Sequence, residues 1–323
     1  ARATMHQKVE GQDLKNLRAG HASVQEVNDL LPLGRANVNQ DIAKAKDANI
    51  PVRKVASYKL LKSLLSGKNS RGEVSETDIF RAGAASFLYA KTGSCGSYAA
   101  ITTPLHAAKL ADMQEERAIV SQAAHGTIDH AWSEMMPKGM GEDGKPILHG
   151  KDVIMDGWCK ENLAVLREDS EYARLDKDGN ANQIKHQDHL DHTTGPAAWK
   201  SVENYKARIE GSSGKQGLFQ RVFDRLVARG FETPKKNLWD AETVFHADFL
   251  DQAGKALHPK TPSRGEGAGA QGAKPDAEHA RHGLLAEIQA VGVARSLGAN
   301  IRGAKAEAPG IIASAKDMFP DPR

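Results

Sequence analysis

Aromatic side chains make up only 5% of this 323-residue chain, and cysteine occurs twice. So few rings exclude a core built on large aromatics. Small side chains must fill the interior, and alanine-rich helices do that most readily. Two cysteines, Cys95 and Cys159, are too few for a disulfide scaffold in a chain of this length. Free thiols fit a reducing compartment, where a thiolate survives as a nucleophile. No apolar run approaches the ~18 residues that span a bilayer, and no signal-peptide pattern is present. An excess of one charge is missing too. With 44 basic and 41 acidic residues the net charge is +3, which makes no strong case for nucleic acid or an anionic membrane as the main partner. Ala1 in place of an initiating methionine predicts a truncated chain, from which any secretion or lipidation signal could have been cut away.

What remains is ordinary globular composition, 40% apolar and 26% charged, and a length that suggests about two or three units of ~100–200 residues. Residues 1–75 read as helical. Ser23 with Glu26 forms a capping box ahead of Val27, Leu30 and Leu31. A second helix is expected over 52–65, stopped by Gly67, with Leu60, Leu61 and Leu64 facing a core. Its Arg53, Lys54, Lys59 and Lys62 read as a solvated face. Ser75 caps a third helix over 76–90, with Asp78 at its N-terminus. Thr92-Gly93-Ser94 breaks the chain, and a new helix starts at Cys95. Pro104 is predicted to kink or end it.

The texture then turns to β. Strands are expected over 117–121, 127–134 and 152–158, with turns at His125-Gly126 and at 141–145. Beyond residue 160 the chain reads as helical again. Leu218, Phe219, Val222, Phe223, Leu226 and Val227 form an amphipathic stripe ending at Gly230. Residues 258–276 read as a loop or linker, and 278–298 as a last helix. The expected organisation is a helical region over 1–75, an α+β core over 76–215, and a mainly helical region over 216–323.

Cys95 sits between Gly-Ser and Gly-Ser at a helix start. The unpaired N–H groups and the positive end of the helix dipole favour a reactive thiolate there. Small neighbours, Gly93 and Gly96, leave room for a substrate carbonyl, and the N–H groups of Cys95 and Gly96 suit an oxyanion hole. His130 on a strand is placed to act as base toward the thiol. Asp156 on the next strand is placed to orient the imidazole, with Asp152, of the same side-chain parity, as the weaker competitor. Trp132 and Trp158 share that parity and are candidates for the cleft wall or for the core. By the same parity Cys159 points away from the site and reads as structural.

The order Cys-Gly-Ser-Tyr-Ala, then His-Ala-Trp-Ser-Glu, then Asp-Gly-Trp, over about residues 85–165, resembles the transglutaminase-like superfamily. The chain as a whole resembles the AvrPphE/HopX/XopE family of bacterial type III effectors. The resemblance implies a cysteine at a helix N-terminus facing His and Asp on adjacent antiparallel strands, with helical regions on either side. It implies Cys95 as nucleophile, His130 as base and Asp156 as orienter. It also implies delivery into a host plant cell, to its cytoplasm or the inner face of its plasma membrane, and action on a host protein or small molecule.

The expected chemistry is thiol attack on an amide or acyl bond, resolved by water (proteolysis or deamidation) or by an amine (transamidation). The alternative is a catalytically idle scaffold that binds a host protein or small ligand. Another reaction on the same fold, such as cleavage of a sugar–amide link, is a third, while no phosphate-cradling glycine loop points to nucleotides. No cofactor and no metal site is expected. His186, His189 and His192 are metal-ligand types, but on the helix expected there they do not converge, and they read as a polar surface segment.

Overall fold

A buried alanine can sit wherever two helices press together, and here Ala56, Ala82, Ala84, Ala85, Ala90 and Ala100 do so, all at most 6% exposed. This is how a chain poor in aromatics builds its interior in the computed structural model, which describes residues 11–69, 74–125, 130–141, 146–159, 164–169 and 184–231. The chain divides into two compact units, residues 16–243 and residues 1–15 with 244–323. Every described residue from Asn16 onward belongs to the first of these. The loop expected at 258–276 and the helix expected at 278–298 lie outside the described residues, as do Gly126 and most of the turn expected at 141–145.

The architecture is α+β, with seven helices and one antiparallel sheet of five strands among the described residues. Helices α1 (Gly11–Leu30), α2 (Asn39–Lys44), α3 (Ile50–Asn69), α4 (Glu76–Ala90) and α5 (Cys95–Asp112) come first. Strands β1 (Ala118–His125), β2 (His130–Pro137), β3 (Val153–Met155), β4 (Ala164–Leu166) and β5 (Ile184–Asp191) follow. Then come α6 (Gly195–Glu210) and α7 (Ser213–Ala228). The sheet order is β4-β3-β2-β1-β5, so β1 to β4 form a meander and β5 returns to pair with β1. No helix among the described residues is long and apolar enough to cross a membrane.

Among the described residues, three apolar clusters hold these layers. Val27, Leu31, Leu60, Leu64, Leu88, Tyr98 and Ile101 join the helices. Val24, Ala107, Leu110, Val120, Met135, Val153 and Leu190 seal α1 and α5 to one face of the sheet. Ala123, Trp132, Ile154 and Ile184 form a smaller cluster.

Several local expectations hold. Ser75 accepts the N–H of Asp78 at 3.1 Å and starts α4. The apolar stripe of the segment ending at Gly230 belongs to α7, whose Phe219 is buried, and Gly230 takes a left-handed φ of +63° just past the helix. Others fail for identifiable reasons. Ser23, read as a cap, lies inside α1, where its buried hydroxyl is committed to Nδ1 of His106 at 2.9 Å. Gly67 does not stop α3, which runs to Asn69. Pro104 does not end α5 either. The proline removes one backbone bond, but it lies within a buried run from Ser97 to Ala107 whose packing keeps the helix going. Residues 184–191 are a strand, not a helix, because pairing with β1 satisfies their backbone.

The strand expected over 152–158 is only β3, three residues long. Asp156 ends it. Its Oδ1 accepts the N–H of Trp158 at 3.0 Å and that of Cys159 at 3.2 Å. A carboxylate that bonds the backbone two residues on makes a turn instead of a ladder.

Candidate active site

Helix α5 lies along β2 and runs parallel to it, and this sets which residues meet. Nε2 of His106 contacts Sδ of Met135 at 3.4 Å, the Ser133 hydroxyl meets that of Thr103 at 2.8 Å, and it donates to the Ala99 carbonyl at 3.1 Å. Continuing in this direction, the first residue of β2, His130, falls beside the first residue of α5, Cys95. The neighbouring strand supplies the carboxylate. Ser133 pairs with Met155, so Asp156 lies one step past the end of β3, diagonal to His130.

The three side chains expected to act together do meet. Nε2 of His130 and Oδ2 of Asp156 are 2.5 Å apart, and the same imidazole hydrogen-bonds Cys95. Both His130 and Asp156 are buried, at 5% and 2% exposure, whereas Cys95 is half-buried. Burial by itself would lower the imidazole pKa. The Asp156 charge and hydrogen bond, then hydrogen bonds to Cys159 and Cys95, outweigh it and hold His130 well above its ordinary value. Asp152, the competitor, is elsewhere: its carboxylate accepts the N–H of His149 at 2.6 Å and lies 3.8 Å from Nε of Arg167.

The residues around Cys95 divide by role. A Cβ on Gly96 would meet nothing within 4 Å, so the space above it is open to a reactant. Gly93 differs from expectation, because a Cβ there would overlap the Cβ of Ser97. Its smallness serves the turn into α5, not substrate approach. Ser97 closes that turn by accepting the N–H of Ser94 at 3.2 Å. Trp132 and Trp158 do not wall an open cleft. They are 1% and 2% exposed, with ring centroids 5.9 and 5.3 Å from that of His130, and both pack against the imidazole.

Cys159 corrects the parity argument. It is not turned away from the site, because the Asp156 turn ends the strand before it. The fully buried Cys159 thiol donates to Oδ2 of Asp156 at 2.9 Å, and it also hydrogen-bonds His130. Burial chiefly, with the Asp156 charge, pushes its pKa up to about 12, against the pull of His130.

Two further features carry no signal in the local sequence. Segment 33–38 runs beside the loop that precedes Cys95: Leu33 donates to the Lys91 carbonyl at 3.1 Å, Ala36 to that of Gly93 at 2.7 Å, and Thr92 to that of Gly34 at 2.6 Å. Behind Trp132, the fully buried Glu134 takes hydrogen bonds from Arg167 (Nε at 2.7 Å), His186 at 3.0 Å and the Trp132 indole at 3.4 Å. Burial would raise the Glu134 pKa, but His186 and Arg167 bring it below the usual carboxylate value. The histidine-rich stretch is thereby explained. His186 serves Glu134, and His189 pairs with the Ser121 hydroxyl at 2.6 Å. Among the described residues these histidines form no converging ligand group, whereas His130, Asp156 and Cys159 do.

No family model, no curated protein and no solved structure matches the chain.

Proposed function

We propose that this chain is a thiol enzyme of the transglutaminase-like type, which acts on an amide or acyl bond through Cys95, His130 and Asp156. One observation carries the reading: a half-buried cysteine at a helix N-terminus shares an imidazole with a buried carboxylate. The resemblance of the Cys-Gly-Ser, His-Ala-Trp-Ser-Glu and Asp-Gly-Trp segments to the AvrPphE/HopX/XopE effectors extends it. On that reading the bacterium delivers the protein into a plant cell, and the substrate is a host protein or small molecule.

The chemistry follows from the roles. Sγ of Cys95 attacks the carbonyl carbon and its proton passes to His130. Asp156 holds the ring through Nε2, which leaves Nδ1 as the atom that exchanges the proton. The N–H of Gly96, in the first turn of α5, has no carbonyl of its own helix to bond, and it suits the developing oxyanion. His130 returns the proton to the departing amine, and an acyl-thioester remains on Cys95. Water or a second amine then gives a proton to His130, attacks the thioester, and frees the product and the thiol.

The test has two parts. Wild type and Cys95→Ala are incubated with plant-cell extract, and the products are read by mass spectrometry for cleavage, deamidation or amine incorporation. Identical products from both would overturn catalysis by Cys95. His130→Ala is expected to slow alkylation of Cys95 near neutral pH by about tenfold or more. An unchanged rate would remove His130 from the mechanism.

A further inference from the structure

Thiol chemistry uses one sulfur, yet the site holds two. The second belongs to Cys159, fully buried and without a step to perform in acyl transfer. Its sulfur, a ring nitrogen of His130 and a carboxylate oxygen of Asp156 all lie within 4.8 Å of one another. Two of the three contacts are hydrogen bonds to the same oxygen, 2.5 Å from His130 and 2.9 Å from Cys159. Each places a proton between two atoms that are also metal ligands.

We propose that His130, Asp156 and Cys159 form a binding site for a thiophilic divalent cation, Zn²⁺, and that binding there switches the Cys95 centre off. The binding step stands on geometry alone. The switching rests on the thiol-enzyme reading above.

The donor set selects the metal. Thiolate and imidazole disfavour magnesium and calcium, which take hard oxygen ligands, and a Cys-His-Asp set suits zinc. Tetrahedral zinc with bonds of about 2.0–2.3 Å sets its ligand atoms roughly 3.3–3.8 Å apart. The two hydrogen-bonded pairs must therefore open by about an ångström or less. The charge balances as well. One Zn²⁺ enters, the Nε2 proton of the imidazolium and the thiol proton of Cys159 leave, and a neutral imidazole, a thiolate and a carboxylate remain around it. No net charge is added to a buried place, where an unbalanced one would be expensive.

Three protein ligands leave one position for water, as in zinc sites with an open position. Cys95, half-buried beside this group, marks the side from which the ion enters. Once bound, the metal occupies the nitrogen through which Asp156 orients His130. The ring is pinned and the carboxylate is diverted.

The experiment uses the full chain, stripped with a chelator and titrated with Zn²⁺ and with Co²⁺. One equivalent should bind, and the Co²⁺ form should show a thiolate-to-metal charge-transfer band. Cys159→Ser should lose the band and bind more than about tenfold more weakly, while Cys95→Ala keeps both. Asp156→Asn, which preserves size, should weaken binding in the same way if Cys159→Ser proves too unstable to read. Loss of binding in Cys95→Ala with Cys159→Ser unaffected would overturn the site, since the ion would then be held by the half-buried thiol of Cys95. Binding no tighter than millimolar would overturn it too. In wild type, bound Zn²⁺ should slow alkylation of Cys95. Binding by Cys159 with that rate unaltered upholds the metal site and overturns its link to the thiol centre.

Discussion

His106 links three elements behind the site. It is fully buried in α5, with Nδ1 against the Ser23 hydroxyl of α1 and Nε2 against Met135 of β2. Burial first, and the Lys109 charge second, lower its pKa from 6.5 to about 3. A group depressed in this way is neutral in the folded state while the unfolded chain takes up a proton. Stability is therefore complete above about 6.5, falls as pH drops below that value, and stops falling near the folded pKa. At about pH 5 the unfolded value lies about 1.5 units above, and at about 1.36 kcal/mol per unit the loss is about 2 kcal/mol. This figure does not depend on the exact folded pKa, provided it stays well below 5.

The perturbation is His106→Asn, whose amide keeps a partner for Ser23 but does not titrate. The assay is urea unfolding of both proteins at about pH 7.5 and about pH 5, with the change between the two compared. Carboxylates and the other histidines contribute alike to both proteins and cancel. His130 works with the opposite sign: its raised pKa gives stability that is present below about 6.5 and lost as pH rises through the folded value, and it cancels in the same way. Wild type should lose about 2 kcal/mol more than the variant on acidification. Equal losses would mean that His106 takes up its proton in the folded state, and that the α1–α5–β2 junction is not dry.

The neighbouring glycines of the Cys95 loop should separate in their effects. Gly93→Ala drives a Cβ into Ser97 and should cost about 1–3 kcal/mol by thermal or urea unfolding, whereas Gly96→Ala meets nothing and should leave stability unchanged while slowing bulky alkylating reagents at Cys95. Equal destabilisation by both would refute the assignment of packing to one and access to the other. Arg167→Met strips the main charge partner from the fully buried Glu134 and should cost about 3–5 kcal/mol in urea unfolding; a loss below about 1 kcal/mol would mean that water reaches Glu134.

The meeting of Cys95, His130 and Asp156 was legible because each lies in a short segment with its own local signal. A helix start after Gly-Ser, a strand of alternating character and a strand-end aspartate each follow from a few adjacent residues. The α+β class was legible for the same reason, as was the Ser75 cap with its Asp78 partner. Cys159 was misplaced because period-2 reasoning was carried through Asp156, and one side-chain bond to the backbone at Trp158 breaks the period. Pro104 does not end α5, because the burial that surrounds it outweighs the lost backbone bond. The 184–191 strand was missed because its polar residues face partners distant in sequence: His186 meets Glu134, and Asp188 meets the buried Arg81 at 2.5 Å. No window of neighbouring residues contains those partners.

The same limit hid the part of the site that lies in the first forty residues. Segment 33–38 bonds the loop before Cys95 through Ala36 and Gly93, and it also bonds the turn after Asp156. Arg35 donates to the Trp158 carbonyl at 2.9 Å, and Asn37 accepts the Trp158 indole N–H at 3.0 Å. Arg35 is itself fixed by Asp41, whose Oδ2 lies 2.7 Å from its Nε. Trp158 in turn packs against the His130 ring. One short stretch thus ties the cysteine loop to the aspartate turn. A thiol and an imidazole exchange a proton efficiently only when their separation is held to a fraction of an ångström. Arg35 and Asn37, more than fifty residues upstream of the thiol, brace the turn that carries Asp156, so the segment between α1 and α2 is part of the site's geometry.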